Sequence, residues 1–450
     1  MSAGPDEHGD GLRAELTLLD ATMINVGTMV GSAIFIVPAA IAAHFSGVFP
    51  TILVWVCGAL VSLCGALCVA ELGAMMPAAG GQYVYLSRAY GRVWGFLYGW
   101  SASVIINPLS IAAIAVGFAT YLAYFIPIGP AGIKAAACLS IAALTLLNCF
   151  GLRLGAITQN VLTVAKIAAV VAVIALCVTL PGGSLARLTP FWPHESWSAL
   201  VAPFGVAMVA VLWAFEGWIE VTYVGSEIRN PQRDMPLSII ISTVLVGLLY
   251  IALALALTWV LGQRAVAASP RVAADAMTAV LGTAGATVIA ATVLVATLGS
   301  NNGIVFTAAR VPYAMARQGE FWRWAGQVSE RHAVPTPALL AQGAWSILLA
   351  LSGRYDQLFT CIVFVAFLFY GMSCGAVLLL RRREPAAGRP YRTWGYPVTP
   401  LVFIAFALFL VVNTVRETPV ESAVGVGLLV IGLVCYRTLG WHRVRPVPHA

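Results

Sequence analysis

The stretch DATMINVGTMVGSAIFIVP, residues 20–38, is long enough to cross a bilayer, yet Gly27, Gly31 and Ser32 interrupt it where an unbroken span has Leu, Ile or Val. A second stretch, VAVLWAFEGWIE at residues 209–220, carries Glu216 and Gly217 at its centre. Lipid offers no hydrogen bonds to a loosened backbone, so such breaks persist only where protein or a water-filled cavity lines them. Paired broken helices in two halves of a chain indicate a transporter with a binding site near the membrane midplane.

The composition is that of an all-α integral membrane protein. Hydrophobic residues make up 60% of the 450 residues and charged residues only 10%, which excludes an ordinary soluble domain. A membrane helix needs ~20 apolar residues, and the third and eighth apolar segments are long enough to bend or to extend beyond the bilayer. Twelve transmembrane helices are predicted, at about 18–43, 49–76, 93–126, 132–150, 157–180, 200–228, 236–262, 276–315, 337–353, 357–381, 398–414 and 420–440.

The order of the spans predicts an internal repeat. Spans one to five and six to ten each open with a broken helix, and because five is odd the second set must enter the membrane inverted. This is the LeuT-type 5+5 inverted repeat with broken helices 1 and 6. The predicted organisation is an N-terminal tail at 1–17, repeats at 18–180 and 181–381, a basic loop with the last two spans at 382–440, and a C-terminal tail at 441–450.

The cationic side chains predict the orientation. With the N-terminus inside, 18 of the 25 Lys and Arg residues lie on the inner side, six lie outside and one lies within a span. This positive-inside bias places both termini in the cytoplasm of a cell-membrane protein. The net charge of +7 therefore reflects topology. No basic stripe interleaved with aromatic residues suggests a nucleic acid partner.

Lys166 lies roughly ten residues into the fifth span, where a charge costs about 2.5–3.5 kcal/mol on insertion scales. One interpretation is that the long side chain reaches back to the inner interface. The other is that its ammonium is fixed inside the bundle, held by hydroxyls and by carbonyls of the broken first helix. In that position it would replace a coupling Na⁺.

Acidic side chains near the breaks leave two interpretations open. Glu216 either stabilises the unwound turn, or faces a cavity where it titrates during transport or attracts a cationic group. Glu220, one helical turn later on the same face, is a weaker candidate for a site role. For Glu71, at the inner end of the second span, we expect an interfacial ion pair with Arg88.

The breaks offer complementary groups to an α-amino acid. Freed N–H groups near 31–34 suit a carboxylate, and freed carbonyls near 28–30 and 213–216 suit an ammonium. Of the aromatic side chains at the second break, Trp213 is favoured as a gate over a bound side chain, although bundle packing is the alternative. The candidate substrate-binding residues are Thr28, Met29, Val30, Gly31, Ser32, Ala33, Ile34, Trp213, Ala214, Phe215 and Glu216.

Several segments jointly resemble the amino acid–polyamine–organocation superfamily, and most of all its L-type amino-acid transporter branch with its bacterial relatives. No single segment would be specific, but together they cover nearly the full chain. They are GTMVGSAIF at 27–35, FLYGW at 96–100, TVAK at 163–166, AFEGW at 214–218 with the loop through 236, GSNNG at 299–303, and RPYRTWGYP at 389–397.

The resemblance implies sodium-independent amino acid transport, usually by obligatory exchange. It implies that residues 31–33 line the carboxylate site and that Trp213 is a gating aromatic. It also implies that Lys166 stands in for sodium, together with Tyr250 on the seventh helix and Ser300 in the GSNNG segment.

The sequence departs from the family pattern at three places. Ala33 replaces the second glycine of a Gly-Ser-Gly signature, which reduces backbone freedom. Glu216 lies where many animal members have Gly. The loop at 126–134 lacks the Cys through which animal members bond an ancillary glycoprotein, so no covalently linked subunit is expected.

These features predict a secondary transporter of neutral L-α-amino acids that exchanges substrates by alternating access across the lipid bilayer. The alternative is a proton-coupled or cationic amino acid or amine carrier that uses Glu216. A channel would need a continuous polar lining, whereas the charges here are isolated. The sequence also lacks a Ser/His/Asp set, a His-Glu-x-x-His motif and a phosphate loop, so no enzyme, metal site or cofactor is expected.

Overall fold

The computed structural model describes residues 11–353 and 355–443, with side chains from residue 363 onward in the second range. Parts of both predicted tails, residues 1–10 and 444–450, lie outside it. So does Arg354, one of the six cationic residues predicted to lie on the outer side. The described chain is helical, and its only bridges are isolated pairs, Leu16 with Ile228 and Pro181 with Gly183. The all-helical prediction is confirmed.

Eighteen α-helices follow one another in the described part of the chain. In order they are α1 Leu18–Met29, α2 Val37–Ala42, α3 Val48–Met75, α4 Gln82–Tyr90, α5 Arg92–Ser101, α6 Asn107–Leu122, α7 Pro130–Cys149, α8 Leu152–Thr179, α9 Trp197–Ala214, α10 Pro231–Leu261, α11 Gln263–Ala268, α12 Val272–Leu281, α13 Ala284–Ala308, α14 Arg310–Arg317, α15 Thr336–Ser352, α16 Tyr355–Arg383, α17 Val398–Glu417 and α18 Pro419–Thr438.

Within residues 11–353 and 355–443, ten helical segments are long and apolar enough to cross a membrane. Two predicted spans are shorter. The first is divided into α1 and α2, with a 3-10 turn at Ala33–Phe35 between them, and the ninth is the 17-residue α15. The ten segments and these two account for the twelve predicted spans.

Both long apolar segments contain an irregularity. In the third span, a π-helical segment, Ala102–Ile106, joins α5 to α6. In the eighth, the predicted start near 276 falls inside the separate helix α12, and the span proper begins at Ala284 after a turn. A π-helical turn inserts an extra residue into a helix and changes which side chains face the interior, which is why such turns are frequent at functional sites.

Helix α1 lies in the centre of the bundle, where it packs against α8, α10 and α13. A capping box begins it, since Thr17 Oγ1 accepts from Asp20 N at 3.3 Å and Asp20 Oδ2 accepts from Thr17 N at 2.9 Å. Helix α8 has two different faces. Val161, Val164, Val171 and Val178 are half-exposed apolar side chains suited to lipid, whereas Lys166 is fully buried.

Buried ion pairs lie toward one end of the bundle. Arg310 binds both carboxylate oxygens of Glu227, at 2.8 and 2.9 Å, and neither side chain is exposed by more than 1%. The backbone of Leu16 pairs with the same segment, donating to Glu227 O at 2.8 Å and accepting from Arg229 N at 2.9 Å. These hydrogen bonds join the segment before α1 to the segment that follows the second break.

The expected ion pair between Glu71 and Arg88 is wrong. Glu71 instead binds Arg381 at 2.6 Å and Arg389 at 3.4 Å, while Arg88 pairs with Glu384 at 2.5 Å. The reason is that the loop after α16 folds back over the end of α3, where Thr393 N also donates to Glu71 at 2.7 Å.

Candidate functional site

The first break frees backbone groups at the end of α1. Val30 N still donates to Val26 O at 3.0 Å, but Gly31 N turns back to Met29 O, and the chain becomes helical again only at Ala33. The N–H groups of Ser32 and Ala33 donate no backbone hydrogen bond to the residues that the structure describes. Two adjacent donors of this kind suit an anionic group such as a carboxylate.

The second break contacts the first directly. Helix α9 ends at Ala214, and Gly217 has a φ of +119°, which L side chains rarely adopt. A Cβ at this position would lie 3.0 Å from Met29 N and from Thr28 Oγ1. Thr28 Oγ1 donates to Gly217 O at 3.0 Å, and Asn25 Oδ1 accepts from Val221 N at 3.0 Å. Glycine is therefore needed here both for its conformation and for the close approach.

Lys166 extends from α8 into the first break. Its Nζ donates to the carbonyls of Gly27 at 2.7 Å, Val30 at 2.9 Å and Ala296 at 2.9 Å, and lies 3.1 Å from Ser300 Oγ. The side chain is fully buried, which excludes a route back to the inner interface. Four oxygens surrounding one fixed positive charge form an arrangement like that around a bound cation.

The carbonyls nearest the break are already occupied by protein donors. Met29 O accepts from Tyr250 Oη at 2.7 Å and from Gly31 N at 3.0 Å, while Val30 O accepts from Lys166 and lies 3.0 Å from Ser300 Oγ. Since a carbonyl oxygen has two lone pairs, the Met29 carbonyl is saturated, and that of Val30 is already bound to Lys166. Of the carbonyls at 28–30 that were predicted to receive a ligand's ammonium, that of Thr28 accepts no backbone hydrogen bond among the described residues.

A cavity lies where the two breaks face α6 and α16. Its volume, counted as the space that the centre of a water molecule can reach, is about 130 Å³. A single water molecule needs only about 10–15 Å³ of such space. The lining combines backbone groups of the breaks with hydroxyl, carboxylate and apolar side chains. A space of this size and character suits a small polar organic molecule.

Two carboxylates project toward the cavity from the second break. Glu216 Oε1 accepts from Tyr370 Oη at 3.0 Å, and Glu220 Oε2 accepts from Thr307 Oγ1. Both side chains line the cavity, and Glu216 is the less deeply buried of the two. The second break therefore presents carboxyl oxygens where the first presents N–H donors.

Most of the residues predicted for a binding site face one cavity. Thr28, Met29, Gly31, Ser32, Ala33, Trp213, Ala214 and Glu216 line it, and so does Ser300. Val30, Ile34 and Phe215 do not. The Val30 carbonyl points to Lys166, and the Phe215 ring packs at 5.1 Å from Tyr250 and 6.4 Å from Trp55.

The sequence did not indicate which residues form the wall of the cavity opposite the breaks. This wall is formed by polar side chains from α5, α6, α16 and the 3-10 segment Glu220–Glu227, namely Tyr98, Asn107, Ser110, Tyr223 and Tyr370. The Asn107-Pro108 pair within an apolar span was a signal that could have been read. The tyrosines gave none, because aromatic residues are common throughout the spans.

Comparison with known proteins finds similarity over nearly the whole chain. Residues 16–435 match the family model described as amino acid permease. The chain is 32% identical to the b(0,+)-type amino acid transporter 1 of Mus musculus over 94% of this chain and 88% of the relative. It is 29% identical to the serine/threonine exchanger SteT of Bacillus subtilis (strain 168), over 95% and 97%. It is 28% identical to the large neutral amino acids transporter small subunit 2 of Homo sapiens, over 96% and 82%.

Proposed function

The chain belongs to the amino acid permease family, within the amino acid–polyamine–organocation superfamily, and on that premise we propose that it is a sodium-independent exchanger of neutral L-α-amino acids. It is a multi-pass membrane protein, and we place its termini in the cytoplasm. Transport leaves the amino acid chemically unchanged. No covalently linked subunit is required for it.

The substrate is held at the meeting point of the two breaks. Its carboxylate accepts hydrogen bonds from the N–H groups of Ser32 and Ala33, which have no backbone acceptor among the described residues. Its ammonium is placed near the carbonyls of Thr28 and Ala214, which likewise accept no backbone hydrogen bond there. The side chain then extends toward α6, with Trp213 at the edge of the cavity as the gate.

The Lys166 ammonium carries the proposal of sodium independence. Its Nζ contacts two carbonyls of the first break, one carbonyl of α13 and the Ser300 hydroxyl, all within 3.1 Å. A sodium ion at this position would have to displace a fixed positive charge from oxygens that already bind it. A cation supplied by the chain therefore takes the place of a coupling ion.

Alternating access follows from the way the breaks are linked. Thr28 and Gly217 connect the two half-helix junctions directly, so a shift of one junction displaces the other. The repeats at 18–180 and 181–381 rock about this point, with Trp213 closing one side. The Lys166 ammonium, fixed between α8, α13 and α1, keeps the site assembled whether it opens inward or outward.

The test uses purified protein in liposomes. Labelled alanine should enter liposomes loaded with unlabelled alanine and should enter empty ones far more slowly, at equal rates in sodium and in choline buffer. Uptake that needs a sodium gradient would overturn sodium independence. Uptake into empty liposomes at the rate seen in loaded ones would overturn exchange.

Glu216 supports a second candidate function, which is transport of cationic amino acids or amines or coupling to protons. Its carboxylate lines the cavity and accepts one hydrogen bond, from Tyr370. In this case labelled arginine would exchange, or an inward proton gradient would drive uptake, and Glu216→Gln would abolish either effect. For a neutral exchanger, Glu216→Gln should leave alanine exchange within roughly threefold of wild type, since it alters one hydrogen bond.

A further inference from the structure

The third span changes its helical geometry beside the cavity. The π-helical segment Ala102–Ile106 ends where Asn107 N donates to Ala102 O, five residues back instead of four. Of the residues that follow, Asn107 and Ser110 line the cavity, and so does Ile106 at the end of the segment. The course of the backbone through this segment therefore determines where one wall of the cavity lies.

Pro108 leaves one carbonyl of the segment without its regular donor. In an α-helix the Val104 carbonyl would accept from the N–H of residue 108, and proline has no N–H. No water is present in the interior of a bilayer to replace that donor, so the carbonyl needs a donor from the protein. Its position then depends on the element that carries this donor.

The donor comes from a different span. Trp345 Nε1, on α15, donates to Val104 O at 2.8 Å, and α15 packs against α6. No residue of α15 lines the cavity, and Trp345 itself is 41% exposed. The indole therefore acts on the cavity wall from behind, through the backbone, without touching what the cavity holds.

We propose that Trp345 is a positioning residue, which holds the Val104 carbonyl and thereby places the cavity wall that begins at Ile106 against the transported amino acid. The inference rests on the proposed function, because it assumes that the amino acid occupies this cavity. It adds to that function a residue that sets affinity although it makes no contact with the substrate.

Loss of the indole donor should change binding more than turnover. Without it, the Val104 carbonyl turns toward another donor, and the wall shifts with the accompanying movement of the backbone. The backbone groups of the two breaks, which Thr28 and Gly217 link, are separate from this hydrogen bond. An interaction lost equally from the bound substrate and from the transition state raises KM and leaves kcat unchanged.

The experiment measures alanine exchange in proteoliposomes for Trp345→Phe, which keeps an aromatic ring and removes the donor. We expect KM to rise about fivefold, the effect of one net hydrogen bond, while kcat stays close to that of wild type. The matched control is Trp94→Phe, which should change neither. Trp94 lies in the same span as Val104, is 42% exposed, and its indole has no hydrogen-bond partner among the described residues.

A second measurement tests whether the effect passes through the Val104 carbonyl. Pro108→Ala restores an N–H at the position that pairs with this carbonyl in a regular helix. Trp345→Phe should therefore raise KM much less in the Pro108→Ala background than in wild type, because the two substitutions act on one shared acceptor. If Pro108→Ala does not fold, the comparison of Trp345→Phe with Trp94→Phe decides.

Three results would overturn the positioning role and leave amino acid exchange standing. They are an unchanged KM in Trp345→Phe, a loss of kcat and of the thermal midpoint with KM unchanged, and an equal rise of KM in both backgrounds. Absence of alanine exchange in wild type would overturn the proposed function, and this inference with it.

Discussion

The two breaks differ in how their polar groups are satisfied. At the first, the carbonyls of Gly27 and Val30 bind the Lys166 ammonium within 2.9 Å. At the second, the carbonyls of Ala214 and Glu216 accept no backbone hydrogen bond in the part of the chain that the structure describes, and the Glu216 side chain faces the cavity. The protein itself pairs these two carbonyls of the first junction, whereas the two carbonyls of the second junction have no backbone donor among the described residues.

The two breaks therefore have different tasks, one holding a fixed positive charge and the other keeping open acceptors, although a single break could do both. The positive charge that a loosened helix end attracts is supplied at the first break by the Lys166 ammonium. The second break retains acceptors without a backbone donor, and in the proposed function one of them, the Ala214 carbonyl, pairs with the substrate ammonium. Substitutions at the two breaks should therefore impair exchange in different ways.

The largest effect is expected from Lys166→Met. This substitution removes the donor shared by three carbonyls and should cost about 1–3 kcal/mol for each group left without a partner. Exchange should be lost for every amino acid tested, and the thermal midpoint in detergent should fall. The matched control is Lys134→Met, which changes the only other lysine, an exposed residue.

Retention of exchange by Lys166→Met in sodium-free buffer would remove the distinction between the breaks. Recovery of exchange by sodium alone would sharpen it instead. In that case the emptied position would have become a site for the ion that Lys166 replaces.

A smaller effect is expected from Gly217→Ala at the second break. The φ of +119° and a Cβ placed 3.0 Å from Met29 N force the junctions apart, and such backbone strain costs of order 1–3 kcal/mol. Transport should fall severalfold through kcat, with a modest loss of thermal stability. The control is Gly117→Ala, because a Cβ on Gly117 meets nothing within 4 Å. Equal behaviour of the two variants would contradict the close contact of the breaks.

The smallest effect concerns pH and a carboxyl outside both breaks. Burial raises the pKa of Glu320, although Tyr83 and Arg92 hydrogen-bond to it and act in the opposite direction. A raised folded-state pKa gives stability that is fully present below the unfolded value, about 4.3, and is lost as pH rises through the folded one. The thermal midpoint should therefore decline slightly as pH rises through the weakly acidic range.

In Glu320→Gln this decline should be absent, whereas Glu330→Gln, at an exposed position, should retain it. A decline that persists in Glu320→Gln would place the titrating group elsewhere. The variant also sharpens the comparison of the breaks. With the contribution of Glu320 to stability removed, a remaining pH dependence of exchange would be tested at the two carboxyls that line the cavity, Glu216 and Glu220.

The sequence was most informative where chemistry conflicts with the membrane. Gly31 and Ser32 in one apolar segment and Glu216 in another predicted the breaks, and the structure ends α1 at Met29 and α9 at Ala214. The charge of Lys166 likewise required a buried partner. Each of these signals is local, because a polar or flexible residue at membrane depth needs an explanation wherever it occurs.

What could not be predicted depends on contacts between distant segments. Tyr98, Tyr223 and Tyr370 come from three helical segments and meet at one cavity, and nothing in the local sequence of any one indicates the others. The predicted partner of Glu71 was wrong for the same reason, because the last turn of α16 places Arg381, and the loop after it places Arg389, against Glu71. The π-helical turn before Asn107 also has no recognisable local pattern.

The Lys166 ammonium has an energetic consequence for the proposed exchanger. An ion that crosses the membrane brings about 2.3 kcal/mol per charge for each 100 mV of potential, but a charge fixed to α8 does not cross. Exchange of one zwitterion for another then gains nothing from voltage or from a salt gradient. Such a carrier can change which amino acids a cell contains, while their total number stays constant.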